Sequence, residues 1–274
     1  MLLSIVLTLS SPFATVPPSN SAALLQDGAV NGERLRRWRE RRGEAGQGGR
    51  IDRQGRTGGD RQGSVAVDQR LSYGDDARQR VLVWRAPAGQ ARPPLAVFVH
   101  GGGWQNGAPE MVSEKPAWFR QHGWAFASIG YRLLPDAPVE QQAADVGAAL
   151  RHLRSQAARL GYDPDRILLL GHSAGAHLAA LVSTDPQYAG DAFGAIRGVI
   201  PIDGAGYDVV AQMADGGRFM TQRTYIPAFG TDPARQRALS PTTHAGGRDA
   251  PDWLLLYTSA RDDAENQSRG LAAA

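Results

Sequence analysis

Two apolar patterns alternate along the chain from about Val65 onward. Short aliphatic and β-branched runs bounded by turn residues predict strands. They are VAVDQRLSYG from Val65, RQRVLVWRAP from Arg78, PLAVFVHGGGW from Pro94 and WAFASIGYRL from Trp124. DRILLLG from Asp165, IRGVIPIDG from Ile196 and DWLLLYTSA from Asp252 follow. Between them, Ala and aliphatic residues at helical spacing predict helices. One is APVEQQAADVGAALRHLRSQAARLG, with Gly161 as its C-cap, and the other is SAGAHLAALVST, ending at Thr184. Short apolar strands alternating with helices imply a mostly parallel sheet covered on both faces, an α/β fold. No internal repeat is visible.

The first 64 residues have a different texture. An apolar run, Leu2–Leu9, precedes small and Pro-rich residues, and is too short to span a membrane. Residues 1–23 read either as a secretory signal peptide without a basic start or as an unstructured beginning. The leader reading implies a secreted or periplasmic protein, and the other a cytoplasmic one. Residues 24–64 read as a disordered Arg/Gly-rich linker, with a short charged helix over 33–42. Residues 33–61 hold ten arginines against five acids, in a chain whose net charge is only +3. The excess positive charge lies in this tail, so it does not mark the folded part, residues 65–274, as nucleic-acid binding. An RNA tether is the sharper reading of the tail, and a solvated linker the plainer one.

Composition narrows the chemistry. With 42% hydrophobic and 21% charged residues, the 274-residue chain is ordinary for a globular protein with one main domain. It has no cysteine, which excludes disulfides, thiolate nucleophiles and Cys-based zinc sites.

Gly171-His172-Ser173-Ala174-Gly175 fits G-x-S-x-G between a predicted strand and a predicted helix. Tight turns need small residues beside the serine, and Gly171, Ala174 and Gly175 supply them. A helix N-terminus there favours developing negative charge. The rival reading of Ser173 is a helix cap. His100-Gly101-Gly102-Gly103-Trp104 follows another buried strand, and a glycine run lets backbone N–H groups point into a site where an oxyanion forms. The plainer reading of that run is a flexible loop.

Together, HGGGW, YRLLPDAP (Tyr131–Pro138), DPDRILLLGHSAGAHLA and WLLLYTSARDDAENQS resemble the α/β-hydrolase esterase/lipase group. That group includes hormone-sensitive-lipase-like, feruloyl- and acetyl-esterase-like and kynurenine-formamidase-like proteins. The resemblance runs from about Ser72 to the end. It implies Ser173 as nucleophile, with an oxyanion hole from the N–H groups of Gly102, Gly103 and Ala174. His100 would shape that loop rather than act as base. The acid would be Asp263, with Asp262 as the alternative; a helix N-cap is the non-catalytic reading of either. Trp104, Trp118 and Trp124 line or brace the pocket, with core packing expected for Trp118 and Trp124. The implied substrate is a small-molecule ester, short-chain or aryl, with carbohydrate-linked esters included. No metal or organic cofactor, nucleic acid or membrane span is implied.

The expected triad order is serine, acid, histidine, and no histidine follows Asp263. The chain therefore reads as a C-terminally shortened hydrolase, impaired as written. Its last strand and helix would be missing, and Trp253–Thr258 would form an exposed apolar edge. His244 is the alternative base within the chain. An arylformamidase-type amidase and a non-catalytic binder on a hydrolase fold remain as rival functions.

Overall fold

The computed structural model describes residues 3–8, 65–258 and 261–274. The linker 24–64, the charged stretch 33–42 and the rest of 1–23 lie outside the described residues. The strands are β1 (Leu3–Thr8), β2 (Gln69–Ser72), β3 (Arg80–Trp84), β4 (Leu95–Val99), β5 (Ala125–Ile129), β6 (Ile167–His172), β7 (Ile196–Ile202) and β8 (Asp252–Thr258). They form one eight-stranded sheet in the order β1-β8-β7-β6-β4-β5-β3-β2. The five strands from β8 to β5 run parallel, and β1, β2 and β3 are added antiparallel to their neighbours. This is the α/β-hydrolase architecture that the resemblance implied.

The burial pattern explains the order. All five residues of β4 (LAVFV) and of β5 (AFASI) are buried, as continuous apolar runs in mid-sheet require. Helices α1 (Lys115–Gln121), α2 (Val139–Leu160) and α3 (Ala174–Thr184) make the crossovers between parallel strands. Helix α2 ends where predicted, at Gly161, whose φ of 83° is the left-handed C-cap that glycine adopts without Cβ strain. Helix α3 (AGAHLAALVST) is buried at every residue, as a helix apolar on nearly all sides must be.

The expected bare edge at Trp253–Thr258 is not found. Strand β1 pairs antiparallel with β8 from Leu3 opposite Thr258 to Thr8 opposite Trp253. The unpaired N–H and C=O groups of β8 are thereby satisfied by backbone from the start of the chain. A helix, Asp262–Ala273, also begins at the predicted acids, and Arg261 rather than either aspartate is its N-cap. Trp118 is corrected too: it is 53% exposed on the outer face of α1, stacked on His122, rather than packed in the core. Among the described residues no helix is long and apolar enough to cross a membrane.

Parallel strands bring their C-terminal ends to one edge. There β4 delivers Gly101–Gly103, β6 delivers Ser173, β7 delivers Asp203 and β8 leads to Arg261–Asp263. Between β7 and β8 the chain makes a long excursion of short helical turns. It includes α4 (Val209–Asp215) and α5 (Pro233–Ala238), before α6 (Asp262–Ala273) closes the fold.

Candidate active site

Ser173 occupies the turn between β6 and α3 with φ 53° and ψ −121°. A non-glycine residue there costs about 1–3 kcal/mol and persists only where its surroundings enforce it. They do. The Ser173 N–H donates to Ile202 O at 2.9 Å, extending the β6–β7 ladder by one bond. Its carbonyl accepts from the N–H groups of Ala176 (2.9 Å) and His177 (3.2 Å), which starts α3. The flanking glycines are steric necessities. A Cβ on Gly171 would lie 2.1 Å from Gly175 O, and one on Gly175 would lie 2.2 Å from Val99 O. The helix start therefore rests directly on the end of β4, and Ser173 stands half-buried above the sheet.

The glycine loop lies against this elbow. A Cβ on Gly101 would meet His172 O at 2.7 Å and Ser173 Cβ at 3.2 Å. Gly102 and Gly103 have φ of 131° and 61°, conformations that side chains strain to adopt. Among the described residues, the N–H groups of Gly102, Gly103 and Ala174 donate to no protein acceptor. His100 lies beneath the loop, 1% exposed and stacked on Tyr131 at 4.3 Å, and the Tyr131 hydroxyl donates to His100 O at 2.8 Å. Burial holds its pKa below the ordinary 6.5, so it is a neutral strut.

Both predicted acids come to the same place. An open cleft of about 990 Å³ is lined by Ser173, Gly102 and Gly103, by Asp262 and Asp263, and by the strap Asp215–Tyr225. Asp262 is exposed, whereas Asp263 is half-buried and accepts from Arg261 Nη2 at 2.8 Å. Arg261 also donates through Nη1 to Asp203, at 3.1 Å to its carbonyl and 3.3 Å to its carboxylate. Asp203, at φ 53°, further accepts from the Thr258 N–H and hydroxyl, both at 3.1 Å. The ends of β7 and β8 are thus tied through Asp203, and Arg261 links that tie to Asp263. The sequence reading missed Asp203 and Arg261. The one local sign was their place at the ends of apolar runs.

The strap was missed as well. Its Phe219 and Met220 are 68% and 42% exposed, and the Arg223 guanidinium lies 5.4 Å over the Phe219 ring. Gln105 Nε2 donates to Arg223 O at 3.2 Å, joining the strap to the glycine loop.

The six histidines can be placed one by one. His122 caps α1, and His152 lies on α2. His172 precedes Ser173 and lies in the β6–β7 ladder, and among the described residues its ring makes no hydrogen bond. His244, the alternative base, is bound to Ala238 O at 2.9 Å and lies 3.9 Å from Asp185. Asp185 is the C-cap of α3 and Ser173 its N-cap, and a helix of 11 residues is about 16 Å long. His244 is therefore at the wrong end of α3 to act on Ser173.

His177 is wholly buried, and burial pushes its pKa down from the ordinary 6.5 to about 4. The unfolded chain therefore takes up this proton first as pH falls. Stability from neutral His177 is complete above about pH 6.5, declines on acidification and levels off below about pH 4, a total of about 3 kcal/mol. Urea melts at pH 7 and pH 4.5 should show this acid loss reduced in His177→Leu. An unchanged pH difference would contradict it.

The comparisons with known proteins agree with this fold. The BD-FAE family model matches residues 83–192. Esterase LipC of Mycobacterium tuberculosis is 34% identical over 125 residues, covering 44% of this chain and 31% of LipC. Isoprenylcysteine alpha-carbonyl methylesterase ICME of Arabidopsis thaliana is 30% identical over 117 residues, covering 43% of this chain and 27% of the relative. The chain thus spans about a quarter to a third of the length of the curated relatives it matches. The crystal structure of esterase B from Lactobacillus rhamnosis superposes with a TM-score of 0.58 at 25% identity, covering 84% of this chain and 72% of that one. Elbow, glycine loop and sheet order, taken with these matches, give the chain the α/β-hydrolase fold and, over the matched stretch, a likeness to its esterase/lipase group.

Proposed function

We propose that this chain carries the site of a serine carboxylic-ester hydrolase that works through an acyl-enzyme. One observation carries the reading: Ser173 is held in a strained elbow beside the undonated N–H groups of Gly102, Gly103 and Ala174, in an open cleft. Ser173 Oγ attacks the ester carbonyl and gives up its proton to water in the open cleft, a slow step without a triad histidine. The carbonyl oxygen becomes an oxyanion held by the three N–H groups. Collapse of the intermediate expels the alcohol, and water then releases the acid. Asp263 is the group placed to orient a triad histidine, since Arg261 fixes its carboxylate at the cleft, but none of the described histidines bonds to it. Apolar Phe219 and Met220 on the strap favour short-chain or aryl esters over highly polar ones.

The test is covalent. A p-nitrophenyl alkylphosphonate should phosphonylate Ser173, seen as one adduct by mass spectrometry and absent in Ser173→Ala. No adduct on folded protein would leave the second reading, a non-catalytic binder, which is favoured because no histidine among the described residues is hydrogen-bonded to Ser173. Comparing an aryl acetate with an N-formyl arylamine separates esterase from formamidase.

Secretion is a separate proposal, resting on the apolar run Leu2–Leu9. A leader cleaved near residue 23 would remove β1 and bare the edge of β8. N-terminal sequencing of the mature protein decides between leader and strand.

A further inference from the structure

Trp104 follows Gly103 directly, and both are left-handed, at φ 62° and 61°. A tryptophan in that conformation is strained and needs external support. Its carbonyl has two donors, the Leu134 N–H at 2.9 Å and Gln142 Nε2 at 3.0 Å. Its indole is 1% exposed and packs edge-on to Phe229 at 4.7 Å and His177 at 5.5 Å. The indole N–H donates to His177 Nδ1 at 3.3 Å, and the other ring nitrogen of His177 lies 2.8 Å from Leu239 O. An indole can only donate, so Nδ1 accepts and Nε2 carries the proton that it gives to Leu239. The tautomer is fixed by its two partners. His177 lies four residues after Ser173 on α3, one helical turn away on the same side.

We infer that His177 is a positioning residue: through the Trp104 indole it holds the Gly102–Gly103 loop at the distance from Ser173 that an oxyanion requires. The same helix then carries the nucleophile and, one turn on, the support for the groups that stabilise its product. This goes beyond the esterase reading but rests on it.

The experiment uses the full chain with two readouts. The first is the rate of Ser173 labelling by the p-nitrophenyl alkylphosphonate. The second is amide hydrogen exchange over residues 100–107, which needs no chemistry at Ser173. His177→Leu and Trp104→Phe should each slow labelling about tenfold, the scale of a modest misplacement of reacting groups. Each should also speed exchange in 100–107. The double variant should be no worse than either single one, because both break the same bond. His177→Asn, whose Oδ1 can stand in for Nδ1, should restore labelling to within about threefold of wild type. A merely space-filling histidine predicts the reverse order, with Leu milder than Asn. Unchanged exchange and labelling in His177→Leu, or additive losses in the double variant, would overturn the inference. If His177→Leu fails to fold, Trp104→Phe and His177→Asn decide by the same two readouts. Wild-type protein that is not labelled at all would overturn the esterase reading, while exchange over 100–107 still decides the role of His177.

Discussion

Turnover of an aryl acetate by this chain is expected to fall about 10⁶-fold short of a complete serine hydrolase, the cost of removing the histidine of a triad. The reason is the placement of its histidines. His100 is buried against Tyr131, and His177 has both ring nitrogens bonded away from Ser173. His244 is anchored to Ala238 O near the far end of α3. What survives under the proposed reading is an oxyanion hole and the cleft, worth about 10³–10⁴ over water in serine hydrolases. His244→Ala and His172→Ala should leave that residual turnover within about twofold. Steady-state assays with p-nitrophenyl acetate read this directly. Loss of turnover in either variant would mean that one of these histidines reaches Ser173 after all.

The second large effect concerns Gly175. Gly175→Val should destabilise the fold by at least about 3 kcal/mol, a large share of the 5–15 kcal/mol that typically holds a domain. The added Cβ meets backbone rather than side chain: Val99 O at 2.2 Å and His100 O at 2.4 Å. No rotamer change relieves that contact, so α3 must lift off the end of β4. The elbow would open, and phosphonate labelling should be lost with the stability. Gly270→Ala is the control, since nothing lies within 4 Å of a Cβ there and alanine favours the helix. Thermal and urea melts of both variants check this. Gly175→Val melting with wild type would show that the helix does not rest on β4.

Labelling by a phosphonate and slow ester turnover are compatible. Labelling is a single event, slowed but not forbidden by a missing base. Turnover needs base assistance in both acylation and deacylation.

Some of this protein was legible in its sequence because the causes are local. A tight strand-to-helix turn admits only small neighbours, so Gly171 and Gly175 mark the elbow wherever it occurs. Buried strands such as Leu95–Val99 show as unbroken apolar runs, and Gly161 ends α2 through its own backbone freedom. Asp262 and Asp263 were assigned through the family resemblance, which puts the acid after the strand Trp253–Thr258. The tertiary structure alone decided the rest, because the partners lie far apart in the chain. Strand β1 meets β8 across some 250 residues, and Asp203 is tied to Arg261 across 58. The strap carries no periodic apolar pattern: Phe219 and Met220 stand exposed, and Gln105 ties the strap to the glycine loop through Arg223 O. His177 and His244 look alike as isolated letters. The length of one buried helix, about 16 Å, puts the first one turn from Ser173 and the second beside its far end at Asp185.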